Sequence, residues 1–202
     1  MNVEILKKTE REIEMRIEAP LYFVNAIRRV AISEIPVLAI DNVIIEDNSS
    51  GLYDEILAHR LAMIPLTFKD IVEKEKCKCK GKGCSECEVR LVLEKTGPCE
   101  VLAKDLVSTH ETVRPVYPEL PIVELLEKQR IKLECIAKIG RGSEHAKFQG
   151  AIVGFSQKKD NEFVLRIESV CGLSAEEVLK ESLNVLEEKV EAFLSNLKNL
   201  KL

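Results

Sequence analysis

Apolar and polar positions alternate strictly from Glu12 to Glu18, with Ile13, Met15 and Ile17 set between Glu12, Glu14, Arg16 and Glu18. A period of two predicts a half-buried strand. Val3 and Ile5 show the same alternation upstream, and Lys7-Lys8-Thr9-Glu10 reads as the turn between the two strands. The period then changes. Beyond Pro20, a residue suited to a first helical turn, the apolar positions are Phe23, Ile27, Val30 and Ala31. Their spacing of four, three and one predicts a helix, with Pro36 as its stop.

The middle of the chain is less regular. Val37 to Ile45 is an apolar run rich in β-branched residues, followed by a loop at Asp47-Asn48-Ser49-Ser50-Gly51 and a helical pattern from Asp54 to Leu61 that Pro65 stops. Strands are predicted at Val89-Leu91-Leu93 and around Val101–Ala103. A proline-rich connection from Pro115 through Pro121 leads to a short predicted helix at Ile122–Leu126. Ile131, Leu133, Cys135, Ala137 and Ile139 alternate as another strand, closed by Gly140-Arg141-Gly142.

The last third returns to simple patterns. Ala151 to Phe155 and Phe163 to Ile167 read as two strands joined by the polar turn Lys158-Lys159-Asp160-Asn161. Ser174 and Glu177 then form a capping box. Behind it run Leu179, Leu183, Leu186, Val190, Phe193, Leu197 and Leu200, spaced alternately by four and three. This is an a/d seam, the pattern of a helix that meets another helix. Val178, Val185 and Leu194 widen the stripe enough for one flank to face the chain's own sheet and the other a second subunit.

One loop carries distinctive chemistry. Cys77, Cys79, Cys84 and Cys87 fall within eleven residues. A segment that short buries no core, so a cross-link or a metal must order it. Four thiolates this close suit a soft tetrahedral metal, with Zn²⁺ as the default and an iron–sulfur cluster as the alternative. The first pair is Cys-x-Cys, which departs from the usual zinc-ribbon spacing. Two disulfides in so short a loop would be sterically tight. The total of seven cysteines is odd, and the start of the chain has no apolar run, so a reducing cytosol is expected. Lys74, Lys76, Lys78, Lys80 and Lys82 offset the charge of bare thiolates, and Gly81 and Gly83 let the backbone turn back between the pairs.

Composition narrows the function. The chain has 202 residues and a net charge of −4, so a large nucleic-acid-gripping surface is not expected. Aromatic residues make up 4% and Trp is absent, which argues against a base-stacking platform. No apolar run approaches the ~20 residues of a membrane span. His59, His110 and His145 sit in no metal-protease or nucleophile-elbow motif. His59 reads as a helix-surface or interface residue and His145 as a loop residue packed on a neighbour. Cys99, Cys135 and Cys171 read as small buried hydrophobes. No nucleophile, base and oxyanion donor come together, so the catalytic residues are none and a scaffold is expected. The alternative is a stand-alone zinc-containing module that binds nucleic acid or protein, with the lysine-rich loop as its support.

A longer pattern is specific. Asn25-Ala26-Ile27-Arg28-Arg29 is followed by Ala39, Val43, Asn48 and Ser50, then by Asp54-Glu55-Ile56-Leu57-Ala58-His59-Arg60-Leu61. The pattern resembles that of the small assembly subunits of cellular RNA polymerases: the archaeal D-type subunits, their eukaryotic equivalents and, more distantly, the N-terminal domain of the bacterial alpha subunit. Gly140 to Phe148 and Ile167 to Gly172 resemble further segments of the family, and the likeness covers the chain.

The resemblance implies an α+β fold. Residues 1–38 and 149–202 would form a discontinuous dimerisation domain of antiparallel strands and two packing helices. Residues 39–148 would form a mainly β inserted domain carrying the four-cysteine loop, whose equivalent holds zinc in the eukaryotic proteins. It implies a non-catalytic platform in transcription. Phe23, Ile27 and Val30 on the first helix, with the 179–200 seam, would meet a small L-type partner. N- and P-type subunits and the large catalytic subunits would join, with Arg28, Arg29, His59 and Arg60 in docking. DNA would be met only through the complex, and no membrane is involved. Some members carry a ferredoxin-like insertion near Gly154–Phe163; the short cysteine-free hairpin here predicts none.

Overall fold

The computed structural model describes residues 2–199. In chain order the elements are β1 (Val3–Lys8), β2 (Glu12–Glu18), α1 (Leu21–Ser33), β3 (Pro36–Asn48), α2 (Asp54–Ala62), β4 (Glu88–Thr96), β5 (Cys99–Leu102), β6 (Val107–Ser108), β7 (Pro121–Leu125), β8 (Arg130–Arg141), β9 (Ala151–Lys159), β10 (Glu162–Ser169) and α3 (Ala175–Asn199). The fold is α+β, and its assigned strand pairs are antiparallel. The chain divides into two compact units, one of residues 1–35 with 141–202 and one of residues 36–140.

In the discontinuous unit the strand order is β1-β2-β10-β9. The alternation in β2 does what its period requires: Ile13, Met15 and Ile17 are buried, and Phe163, Leu165 and Ile167 of β10 face the same way. Helices α1 and α3 cover that face. Pro20 takes the N-cap position of α1, one residue earlier than a first-turn proline. Strands β9 and β10 join through the tight turn Asp160-Asn161, with Asn161 left-handed at φ 59°.

The Gly-Arg-Gly segment has a clear local task. Ser143 donates its N–H to Ser33 O at 2.8 Å, and the Arg141 guanidinium donates to Glu34 O. These bonds satisfy carbonyls at the end of α1 that its own turns leave without partners. Gly142 lies so close that a Cβ there would strike the Ile32 carbonyl.

In the inserted unit the main sheet runs β3-β8-β4-β6, with a separate pair, β5-β7. One core fills it, including Leu38, Ile40, Leu57, Leu61, Leu91 and Leu133. Ile122–Leu126, expected as a short helix, is instead largely strand β7. It pairs with β5 and buries Ile122, Val123 and Leu125. Spacing in a run that short cannot separate helix from strand, and pairing with β5 decides it. The loop expected from Asp47 begins only after Asn48, because β3 continues that far. The two-residue strand β6 had no periodic signal to announce it.

Candidate metal centre and exposed helix face

The four cysteines converge. Their Sγ atoms all lie within 4.8 Å of one another. Cys77 and Cys84 are 3.5 Å apart, Cys79 and Cys87 3.6 Å, and Cys84 and Cys87 3.8 Å. A tetrahedron of thiolates around one Zn²⁺, with bonds near 2.3 Å, has edges of about 3.8 Å. The donor set therefore fits a single tetrahedral ion. A cluster, which places several irons between its thiolates, needs a wider set.

Two tight turns make this geometry. Lys80 N–H bonds Cys77 O at 3.1 Å and Lys82 N–H bonds Cys79 O at 3.3 Å, while Cys87 and Glu88 donate to Cys84 O. Lys80, Gly81 and Gly83 take positive φ, which brings the chain back on itself. At Gly83 a Cβ would also collide with the Glu88 carboxylate. Val72 N–H to Glu86 O, at 2.9 Å, closes the base of the loop.

The thiols of the loop do not ionise alike. Burial opposes ionisation of Cys79, but hydrogen bonds from Cys77, Cys87 and the Gly83 and Gly81 backbone outweigh it and hold its pKa at about 7. Burial pushes the Cys87 thiol up to about 12. Four ionised thiolates in one small volume require a cation between them. The Lys74 ammonium bonds Glu88 at 2.6 Å, which raises its pKa, and the nearby thiolates add to the effect. This pair was not legible from spacing, although Glu88 directly follows the last of the four cysteines. Lys78, Lys80 and Lys82 are exposed, as are Glu75 and Glu86. A divalent ion with four thiolates carries −2, so the lysines roughly balance their surroundings and leave no strong cationic patch.

The second feature is α3. Ala175, Val178, Ser182 and Val185 are buried and form the stripe that faces the unit's own core. The longer seam lies beside it. Leu179, Leu186 and Leu197 are half-buried, while Leu183 is 40%, Val190 58% and Phe193 64% exposed. Leu194 is 50% exposed. From Glu187 to Asn196 every side chain is exposed. Leu200 lies outside the described residues. On α1, Phe23 is half-buried, but Ile27 and Val30 are buried in the unit's own core.

The chain is similar to known proteins over most of its length. A family model described as the RNA polymerase Rpb3/RpoA insert domain matches residues 39–154. The chain is 40% identical to the DNA-directed RNA polymerase subunit Rpo3 of Methanocaldococcus jannaschii, over 92% of this chain and 90% of that protein. The chain belongs to the Rpo3 family. Two other Rpo3 proteins, from Pyrobaculum calidifontis and Methanopyrus kandleri, are 45% and 48% identical over 76% and 65% of this chain. The chain spans 61% and 49% of their lengths. Rpo3 is the D-type subunit of the archaeal polymerase, so the family resemblance holds.

Several residues that the sequence singled out build local structure. Asn48 Nδ2 donates to Leu52 O at 2.9 Å and to Asp54 Oδ1 at 2.7 Å, while its Oδ1 accepts from the Ser50 hydroxyl at 2.6 Å. This clasp sets the start of α2. Arg60 Nη1 donates to Ile122 O at 2.8 Å. His59 is exposed on α2. Arg28 is half-buried and donates to Asn25 Oδ1 at 3.0 Å, whereas Arg29 is exposed. His145 Nδ1 accepts from Lys147 N–H at 3.1 Å. Cys135 is fully buried, with a pKa raised to about 12 by burial, and Cys171 is raised in the same way; both fill core space. Cys99 is half-buried. Among the described residues, no helix is long and apolar enough to cross a membrane.

Proposed function

We propose that this chain is a non-catalytic assembly platform of DNA-directed RNA polymerase in the cytoplasm. Its discontinuous unit is the dimerisation domain, and an L-type small subunit covers the outer seam of α3. The observation that carries this reading is the exposed run Leu183, Val190, Phe193 and Leu194 in a chain of the Rpo3 family. Large apolar side chains at heptad spacing on one helix face, left in water, match the half-interface of a helix pair. Covering the remaining exposed apolar surface of each side chain favours association, at about 25 cal/mol per Å² before the entropic costs of binding. Phe23 on α1 adds to that face.

The remaining roles follow from the family. N- and P-type subunits and the large catalytic subunits dock on the dimer, with Arg28, Arg29 and His59 offering exposed or half-buried polar groups. Cys77, Cys79, Cys84 and Cys87 would hold one Zn²⁺ as a closed structural site. With all four positions taken by thiolates, the ion would order the loop. Residues 72–88 would then be stapled by metal in place of an apolar core.

The test is co-expression of the tagged chain with the L-type subunit of the same organism. A stable one-to-one complex, lacking nucleotidyl-transfer activity and carrying one zinc, is the expected result. A chain that stays monomeric beside an intact L-type subunit would overturn the platform reading.

A further inference from the structure

Gly154 lies in the middle of β9, a strand at the edge of its sheet, in unbroken register opposite Arg166. Glycine weakens a strand interior and is usually explained by a bulge, a bend or a close approach. None of these applies here. The bulge in the β9–β10 pair lies elsewhere, between Glu162 and Phe163. A Cβ added at Gly154 would meet nothing within 4 Å, so none of the described residues requires its absence.

The missing side chain leaves a notch on the outward face of the sheet. Ile152 is 57% exposed on one side of it, and Val164 is half-buried on the neighbouring strand. A shallow depression of about 410 Å³ spans these residues together with Glu14, Arg166 and Glu168. Arg166 is already engaged, at 2.6 Å from Glu12 and 3.7 Å from Glu168. Glu14, opposite Arg166 on β2, has no ion-pair partner among the described residues. The outward positions of β1, β2 and β10 hold Glu4, Glu12, Glu14, Glu18, Glu162 and Glu168 against Lys7, Arg16 and Arg166, and Lys7, in register with Glu14, is engaged by Glu12 at 2.5 Å.

We infer that this face is a docking surface for a basic protein segment, which sets an apolar side chain into the Gly154 notch and a lysine or arginine against Glu14. The charge balance selects the occupant. A second copy of this face would bring glutamates against glutamates. Nucleic acid or an anionic lipid surface would be repelled. A cationic segment gains steering and specificity from the same charges, and the notch accepts the apolar anchor that a small interface needs at its centre.

The test rests on reading the chain as a polymerase subunit and takes its probes from there. Overlapping synthetic peptides covering the other subunits of the same polymerase are titrated against the labelled full chain by fluorescence anisotropy. Peptides that place a lysine or arginine beside a large apolar residue are expected to bind, more weakly as salt rises. Gly154→Val and Glu14→Lys should each weaken that binding by about tenfold or more. Gly154→Val should melt no lower than the parent, because its side chain has free space. Binding by either variant at the parent's affinity, no binding by any such peptide, or preference for nucleic acid or anionic vesicles would overturn the inference. Co-purification of polymerase with the tagged parent chain checks the subunit role separately: peptide binding without co-purification would strike that role and leave the surface standing.

Discussion

Arg60 Nη1 reaches the carbonyl oxygen of Ile122 at 2.8 Å and ties α2 to β7. This bond lets a structural role for Arg60 be separated from a docking role. A hydrogen bond from a charged donor contributes about 1.5–3 kcal/mol, and the exposure of Arg60 puts it toward the lower end. Arg60→Ala should lower the urea midpoint of the isolated chain accordingly, with Arg60→Lys recovering part of the loss. Unfolding indistinguishable from the parent would show that the arginine serves only an external partner.

Metal removal should act locally. In the proposed site a bound ion would hold residues 77–87 together through the four cysteines, whereas the core of Leu57, Leu91 and Leu133 is packed without them. Chelation, or Cys79→Ser with Cys87→Ser, should open the loop to protease between residues 72 and 88. The melting of the β1-β2-β10-β9 unit should stay unchanged. Metal analysis should give one zinc per chain, and cobalt substitution should give the absorption of a tetrahedral thiolate site. Iron with inorganic sulfide in the purified chain would overturn the single-ion reading.

The start of α3 should be acid-sensitive. Hydrogen bonds from Lys8 and Lys180 hold the Glu176 carboxyl at about 2, below its ordinary 4.5. Glu177 is lowered as well, first by the Ser174 N–H and then by its hydroxyl. A carboxyl whose folded pKa is depressed stabilises the fold above its unfolded pKa. That contribution is lost as pH falls through the folded value. The protection of amides in the first turn of α3, taken relative to the intrinsic exchange rate at each pH, should therefore fall as pH drops from about 4.5 toward 2. Glu176→Gln should show a flatter profile. Removing the capping hydroxyl in Ser174→Ala should cost about 1 kcal/mol at neutral pH.

Periodic elements were legible because their patterns match their burial. The alternation in β2 and β10 and the capping box of α3 could be read directly from residue order. The four-cysteine loop was legible through its chemistry, since few residue sets other than thiolates fit so short an unpacked segment. Local spacing points Ile122–Leu126 to a helix, whereas its pairing with β5 depends on a strand about twenty residues upstream in sequence, which no local spacing encodes. The clasp formed by Asn48, Ser50 and Asp54 was visible only as a family pattern; its hydrogen bonds required the folded loop. The division of the α3 stripe was also hidden. Sequence shows that both flanks are apolar, and only the sheet beneath reveals which flank is covered.

That division gives the sharpest prediction. Val178 and Val185 lie in the buried stripe, whereas Phe193 and Val190 lie in the exposed one. Val185→Ala removes about two methylene equivalents from the core and should destabilise the isolated chain by about 2 kcal/mol. Phe193→Asp removes a side chain that the isolated chain leaves 64% exposed, so its unfolding should change by no more than about 0.5 kcal/mol. With the L-type subunit present the order should reverse. Phe193→Asp places a charge in the helix pair and should prevent the complex from forming, while Val185→Ala should still pair once folded. Thermal melts of the isolated variants, followed by co-purification of each with the L-type subunit, measure both halves. A Phe193→Asp chain that keeps its partner would show that the outer seam of α3 is not the dimer interface.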